Sequence, residues 1–127
     1  MTKIALLFVL LIAVYLGGYL PEHSKVNRMD DELREARRQT ALARLRDLSG
    51  LAYIQASQKN YGLASKTSAA FFTAVQDVAT QTADAAARKP YDELLGMREK
   101  ITAELAKGDA EVMNDLHPLY QKTQQIN

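Results

Sequence analysis

The sequence predicts an all-α protein: a single transmembrane helix at the N-terminus, then an antiparallel helical bundle made of one long stalk helix, one long central helix and a short helical hairpin. Three observations carry this. Residues 4–20, IALLFVLLIAVYLGGYL, hold no charged side chain. From Val26 onward apolar residues recur at gaps of three and four, the spacing that gathers them on one face of an α-helix. No stretch alternates apolar and polar residues with β-branched enrichment, so nothing in the chain asks to be a strand. The expected organisation is an anchor over 1–21, a juxtamembrane stalk over 22–41 and a bundle over 42–127.

A bilayer core of about 30 Å takes about 20 apolar helical residues, with about 17 near the lower limit. Residues 4–20 meet that limit, and Lys3 can stretch its ammonium back to the interface. Tyr15 and Tyr19 suit the headgroup level, and Pro21 is expected to end the helix by pushing its predecessor out of the α region. A cleaved signal would need small residues at both positions of its cutting site. Leu16 or Tyr15 occupies one of them, depending on whether the cut follows Gly18 or Gly17. The segment therefore reads as an uncleaved anchor. Its sidedness is pulled two ways. Lys25, Arg28, Arg34, Arg37 and Arg38 favour retention in the cytoplasm, whereas a short basic head before an apolar run has the form of an export signal. The second consideration puts the soluble domain on the extracytoplasmic face.

Asn27 can cap the stalk helix, with Asp30, Asp31 and Glu32 at its positive end, and the helix is expected to run to about Ser57. Its stripe is Val26, Met29, Leu33, Ala36 and Thr40 at first. It then restarts out of phase as Leu42, Leu45, Ser49, Ala52 and Ala56, as if the helix changed neighbours. Gly50 marks a bend or costs about 1 kcal/mol. SQKNYG (57–62) is a turn with Asn60 and Gly62 as its left-handed residues. The central helix follows to about Arg88 with the cleanest seam in the chain: Tyr61, Ala64, Ser68, Phe71, Val75, Val78, Thr82 and Ala85. Thr73, Asp77, Thr80, Gln81 and Asp84 form its polar face. Lys89-Pro90 should break the chain, with Pro90 opening a third helix over about 90–107 that presents Leu94, Met97, Ile101 and Leu105. Gly108-Asp109 is a stop and a cap, after which a fourth helix presents Ala110, Met113, Leu116 and Tyr120. Pro118 should kink it, and QKTQQIN should fray.

Composition narrows the chemistry. Sixteen Lys and Arg against fifteen Asp and Glu give a net charge of +1 over 127 residues, a balance that argues against nucleic acid as a ligand. The absence of cysteine excludes disulfides, thiolate nucleophiles and Cys-ligated metal sites. His23 and His117 belong to no Glu-x-x-His or His-x-x-x-His pattern. Met29 and His117 are spaced loosely like the axial ligands of a haem bundle, but Met29 fits an apolar stripe and His117 precedes a proline, so no cofactor is assigned. Glu111 with Asp115, and Asp77 with Asp84, share helix faces among polar neighbours and read as solvated. Arg34, Arg37 and Arg38 could meet lipid headgroups, yet Asp30 and Glu35 stand at ion-pair spacing to Arg34 and Arg38.

These readings imply an anchored scaffold or accessory subunit with no catalytic activity of its own. It would hold the lipid bilayer through 4–20 and a protein partner, or a second copy of itself, through helical faces. Phe71, Phe72, Val75 and Val78 are the candidate contact residues, with intramolecular core as their other role. The alternative is a membrane-tethered four-helix bundle that senses a ligand or binds a cofactor.

Overall fold

A computed structural model describes the backbone of residues 2–127 and the side chains of residues 3–15 and 25–127. Among these residues there is no strand, and five α-helices account for nearly all of the chain. They are α1 (Thr2–Ser57), α2 (Tyr61–Gln81), α3 (Ala85–Leu95), α4 (Arg98–Lys107) and α5 (Met113–Gln125), with a 3-10 turn at Ala110–Val112. The chain divides into two units, Met1–Arg38 and Gln39–Asn127.

The first unit is the N-terminal part of α1. Pro21 and Asn27 both lie within this helix, so neither the expected stop nor the expected cap is made. A proline inside a helix forfeits one backbone bond, a loss that helical turns on both sides can carry. Among the described residues no helix is long and apolar enough to cross a membrane. The side chains of 16–20, the second part of the expected span, lie outside the described residues. Ile4, Leu7, Leu11 and Tyr15 are exposed, and so are Val26, Met29 and Leu33 further on. Arg38 forks onto Glu35, its Nε and Nη2 donating to the two carboxylate oxygens at 3.0 and 2.8 Å.

The second unit is a bundle around one core. Leu42, Leu45, Ser49, Ala52 and Ala56 are all buried, so the later stripe of α1 faces inward as its spacing demands. Phe71 and Phe72, both fully buried, pack edge to face with ring centroids 5.1 Å apart. Each contributes about 2–3 kcal/mol through burial alone. Leu94, Ile101, Leu105, Val112, Leu116 and Leu119 complete the core from the remaining helices. A buried hydrogen bond from Thr67 Oγ1 to Gln55 Oε1, 2.7 Å long, fixes α2 against α1.

Cap chemistry, more than proline, sets the helix boundaries. The turn after α1 is closed by Lys59 N–H donating to Ala56 O and Asn60 N–H to Gln55 O, both at 2.9 Å. This paired pattern requires a left-handed residue at Lys59, whose φ is 61°. Asn60 instead caps α2 from φ −88°, and Gly62 lies inside that helix, so the left-handed position was misassigned by sequence. The central helix ends at Gln81, short of Arg88. Thr82 is extended, and Asp84 accepts from Ala87 N–H at 2.9 Å to begin α3. Pro90 therefore falls within α3 and does not open it. Its missing bond would have gone to Ala86, an exposed residue whose carbonyl water can reach.

The expected third helix is two, interrupted at Gly96 and Met97. Gly108 adopts the left-handed conformation with φ 67°, and Asp109 Oδ1 accepts from Glu111 N–H at 2.9 Å, as their order predicts. The 3-10 turn that follows advances the chain by three residues per turn and shifts the phase of what comes next. The buried stripe of this segment is accordingly Val112, Leu116, Leu119, Thr123 and Ile126, with Ala110 exposed and Met113 and Tyr120 half-buried. Pro118 sits inside α5 without ending it. The tail does not fray. Ile126 is buried, and Arg46 Nη2 donates to its carbonyl at 2.6 Å.

A lysine in the left-handed region carries a steric cost of about 1 kcal/mol that glycine does not. Lys59→Gly should therefore raise stability by roughly 0.5–1 kcal/mol, read from urea unfolding of the whole chain by tyrosine fluorescence. No gain would mean that the Lys59 side chain has a contact of its own that offsets the strain.

Candidate functional site

Two arrangements in the second unit lie outside the ordinary core. The first is a shallow groove of about 670 Å³ between α1 and α5, lined by Ala43, Asp47, Gly50, Leu51, Ile54 and Tyr120, with Arg46 and Gln124 at its edges. It exists because Ala43, Asp47, Gly50 and Ile54 recur at gaps of four, three and four, on a face of α1 about 150° round from the buried stripe. Leu51 and Ile54 remain about half exposed, at 46% and 51%. Gly50 faces α5 here, and a Cβ on it would lie 3.4 Å from Tyr120 Cε2. Tyr120 stacks on Tyr53 with centroids 6.2 Å apart, and His117 lies against the same Tyr53 ring at 5.8 Å. Beneath them Arg46 holds the Ile126 carbonyl while its Nε is buried without a hydrogen-bond partner. The groove is an apolar contact face with a charged edge and carries no arrangement of nucleophile and base.

The second arrangement is an acid pair. Glu104 of α4 and Asp115 of α5 are both mostly buried, with side chains 16% and 18% exposed. Lys100 Nζ lies 2.7 Å from Asp115 Oδ2 and 3.8 Å from Glu104 Oε1. Burial, followed by the hydrogen bond and the charge of Asp115, holds the Glu104 carboxyl above its usual value of 4.5. Glu104 Oε2 is buried with no hydrogen-bond partner, which adds to the cost of its charged form. The hydrogen bond to Asp115 in turn holds the exposed Lys100 above 10.5. The three side chains thus form a charge cluster between α4 and α5, with Lys100 reaching both acids.

The sequence candidates fall as follows. Phe71, Phe72 and Val75 are fully buried and Val78 is half-buried against the same core, so all four pack within the bundle. Arg34, Arg37 and Arg38 are exposed on α1. Arg38 is paired with Glu35, whereas no ion pair joins Asp30 to Arg34 among the described residues. Met29 is exposed in the first unit, and His117 is exposed in the second. His23 lies outside the described side chains. Among the described residues no cluster of three His, Cys, Asp or Glu could hold a metal ion. Asp84 serves as the α3 cap, and Asp115 pairs with Glu104 across helices, with Glu111 exposed. The groove was missed, although Leu51 and Ile54 stand visibly outside the stripe of α1. The Glu104–Asp115 pair had no sequence signal, because its partners come from separate helices.

No protein-family model matches the chain, and neither curated proteins nor solved structures show a match to it.

Two measurements probe these arrangements. Gly50→Ala should add about 0.5–1 kcal/mol of stability, because its methyl group meets Tyr120 at ordinary contact distance. A loss would show that the Tyr120 ring cannot yield. Glu104 binds its proton more tightly in the folded state, so its contribution is full below pH 4.5 and fades as pH rises through the raised value. Glu104→Gln should therefore melt a few degrees above the parent near pH 7, with the difference closing towards pH 4.5. Equal melting temperatures across that range would show that folding does not tighten proton binding at Glu104.

Proposed function

We propose that the chain is a membrane-anchored interaction protein, a scaffold or accessory subunit that acts by presenting helical surfaces and performs no catalysis of its own. One observation carries the reading. Among the described residues, all of the large apolar side chains left exposed but Leu63 lie on α1, in three groups: Ile4 to Tyr15, then Val26, Met29 and Leu33, then Leu51 and Ile54. Surface apolar residues scattered singly need no explanation, but a succession of them along one helix marks a surface that something else covers.

The first group begins the uncharged run 4–20, for which a bilayer is the natural cover. Proline is tolerated near such a segment when neighbouring helical turns supply the remaining backbone bonds. Export in the manner of an uncut signal would place the bundle on the extracytoplasmic face. The third group lines the α1/α5 groove and is the face of the bundle suited to a protein contact. The buried Phe71, Phe72 and Val75 are assigned to folding, which moves the contact role away from α2. The alternative, a tethered bundle that binds a small ligand, draws its support from the same groove.

Membrane fractionation of cells expressing the whole chain with a C-terminal tag tests the reading. The tagged protein should stay in the pellet after carbonate extraction at unreduced size, and protease added to intact spheroplasts should remove the tag. Recovery in the soluble fraction would overturn the anchor. Protection until lysis would place the bundle inside and bring Arg34 and Arg37 within reach of anionic headgroups.

A further inference from the structure

The middle group of exposed apolar residues has a feature that neither the bundle nor the bilayer explains. Val26, Met29, Leu33, Ala36 and Thr40 follow one another at gaps of three, four, three and four, the a and d positions of a heptad repeat. Val26, Met29 and Leu33 are exposed, at 55%, 69% and 48%. In this frame the positions that flank a coiled-coil seam are Lys25 and Glu32 at g, and Asp30 and Arg37 at e. In a parallel pair, each g residue faces the e residue five positions on in the other chain. Lys25 then meets Asp30, and Glu32 meets Arg37. Both contacts are attractive, and the twofold axis repeats each of them.

Arg37 adds a second, independent indication. Its neighbours at three and four positions are Leu33, Arg34, Thr40 and Ala41, so its own helix offers it no acid at ion-pair spacing. Arg38, one position further round the helix, does have such an acid and forks onto Glu35. The guanidinium that flanks the apolar stripe is thus the one without a local partner, and the facing chain supplies Glu32 to it.

We propose that residues 25–40 form a parallel two-stranded coiled coil with a second copy of this chain. The proposal rests on the anchored reading, because two copies that leave one bilayer on the same side meet in parallel. The anchor also does thermodynamic work. Two heptads are marginal by themselves, as isolated helices of fewer than about 12–15 residues are in water. Confinement to a membrane raises the effective concentration of the second strand without adding any contact. Alanine at one d position and threonine at one a position keep the seam weak, so the pair is reversible.

The chain has no cysteine, which makes directed cross-linking clean. Val26→Cys and Leu33→Cys, at seam positions, and Asp31→Cys, on the outer face, are each introduced into the whole chain and oxidised mildly in lysed cells before membrane and soluble fractions are separated. Both seam variants should give a band of twice the monomer mass, and Asp31→Cys should not. Two seam positions that each link to themselves define a parallel register. Arg37→Glu added to Leu33→Cys should lower the linked fraction about fivefold, since it turns attractive pairs repulsive. Further addition of Glu32→Arg should restore it. Monomers at both seam positions in a membrane pellet would overturn the coiled coil and leave the anchor standing. Equal linking at Asp31→Cys would overturn it too, as random collision. Linked seam variants in the soluble fraction would keep the coiled coil and overturn the anchor.

Discussion

A helix can bury only the stripe its neighbours reach, and α1 carries apolar side chains well outside that stripe. Between Leu42 and Ala56 the inward face is fully used. Everything else about the molecule follows from what is done with the surplus. The three exposed groups on α1 differ in chemistry: an uncharged run, a heptad stripe flanked by alternating charges, and a groove beside an aromatic stack. On the proposed reading each suits a different cover, in order lipid, a second copy and a protein surface. One continuous secondary-structure element would thereby be divided into segments with separate partners. The division is written in the residues that flank the apolar positions, because the apolar positions themselves look much alike.

Within the bundle, small residues set the geometry. Ser49, Ala52, Ala56, Ala64, Ser68 and Ala79 are buried, and side chains of this size let helix axes come towards the short end of the usual 8–10 Å range. The polar members of the interior then have to find partners. Ser49 and Thr123 return their hydroxyls to the carbonyls of Arg46 and Leu119, and Thr67 and Gln55 satisfy each other. Ser68 Oγ has no partner, a loss of about 1–3 kcal/mol for a buried hydroxyl. The acid pair of α4 and α5 belongs to the same class of problem, and Lys100 is the cation that reaches both members.

The legible parts of the fold were those governed by local chemistry. Spacing alone placed Leu42, Leu45, Ser49, Ala52 and Ala56 inside, and the dipeptide Gly108-Asp109 located both a stop and a cap. Proline misled twice. Pro21 and Pro90 both lie within helices, because each costs one backbone bond while the helix around it is set by packing and caps. The stripe of α5 was displaced because a 3-10 turn has a different period from the helix it precedes, and no residue type announces that change. The tail was misread because its composition is polar, whereas its order comes from Arg46, far away in the chain. The groove was legible in Leu51 and Ile54, but only as apolar residues out of place. Its depth needed Gly50 and Tyr120 to be brought together by the fold.

The bond from Arg46 to the Ile126 carbonyl joins positions separated by 80 residues. It ties the first helix of the bundle to the last turn of α5, and it cannot form until the ribosome has released the end of that helix. During synthesis α1 is complete long before the elements that cover its inward face. At the usual rate of about 5–20 residues per second, that interval lasts several seconds. A nascent chain in this state leaves Leu42 and Leu45 uncovered. The proposed pairing through residues 25–40 needs none of the later elements and can precede closure of the bundle. In that order of events the dimer would be assembled co-translationally, between chains read from a single message.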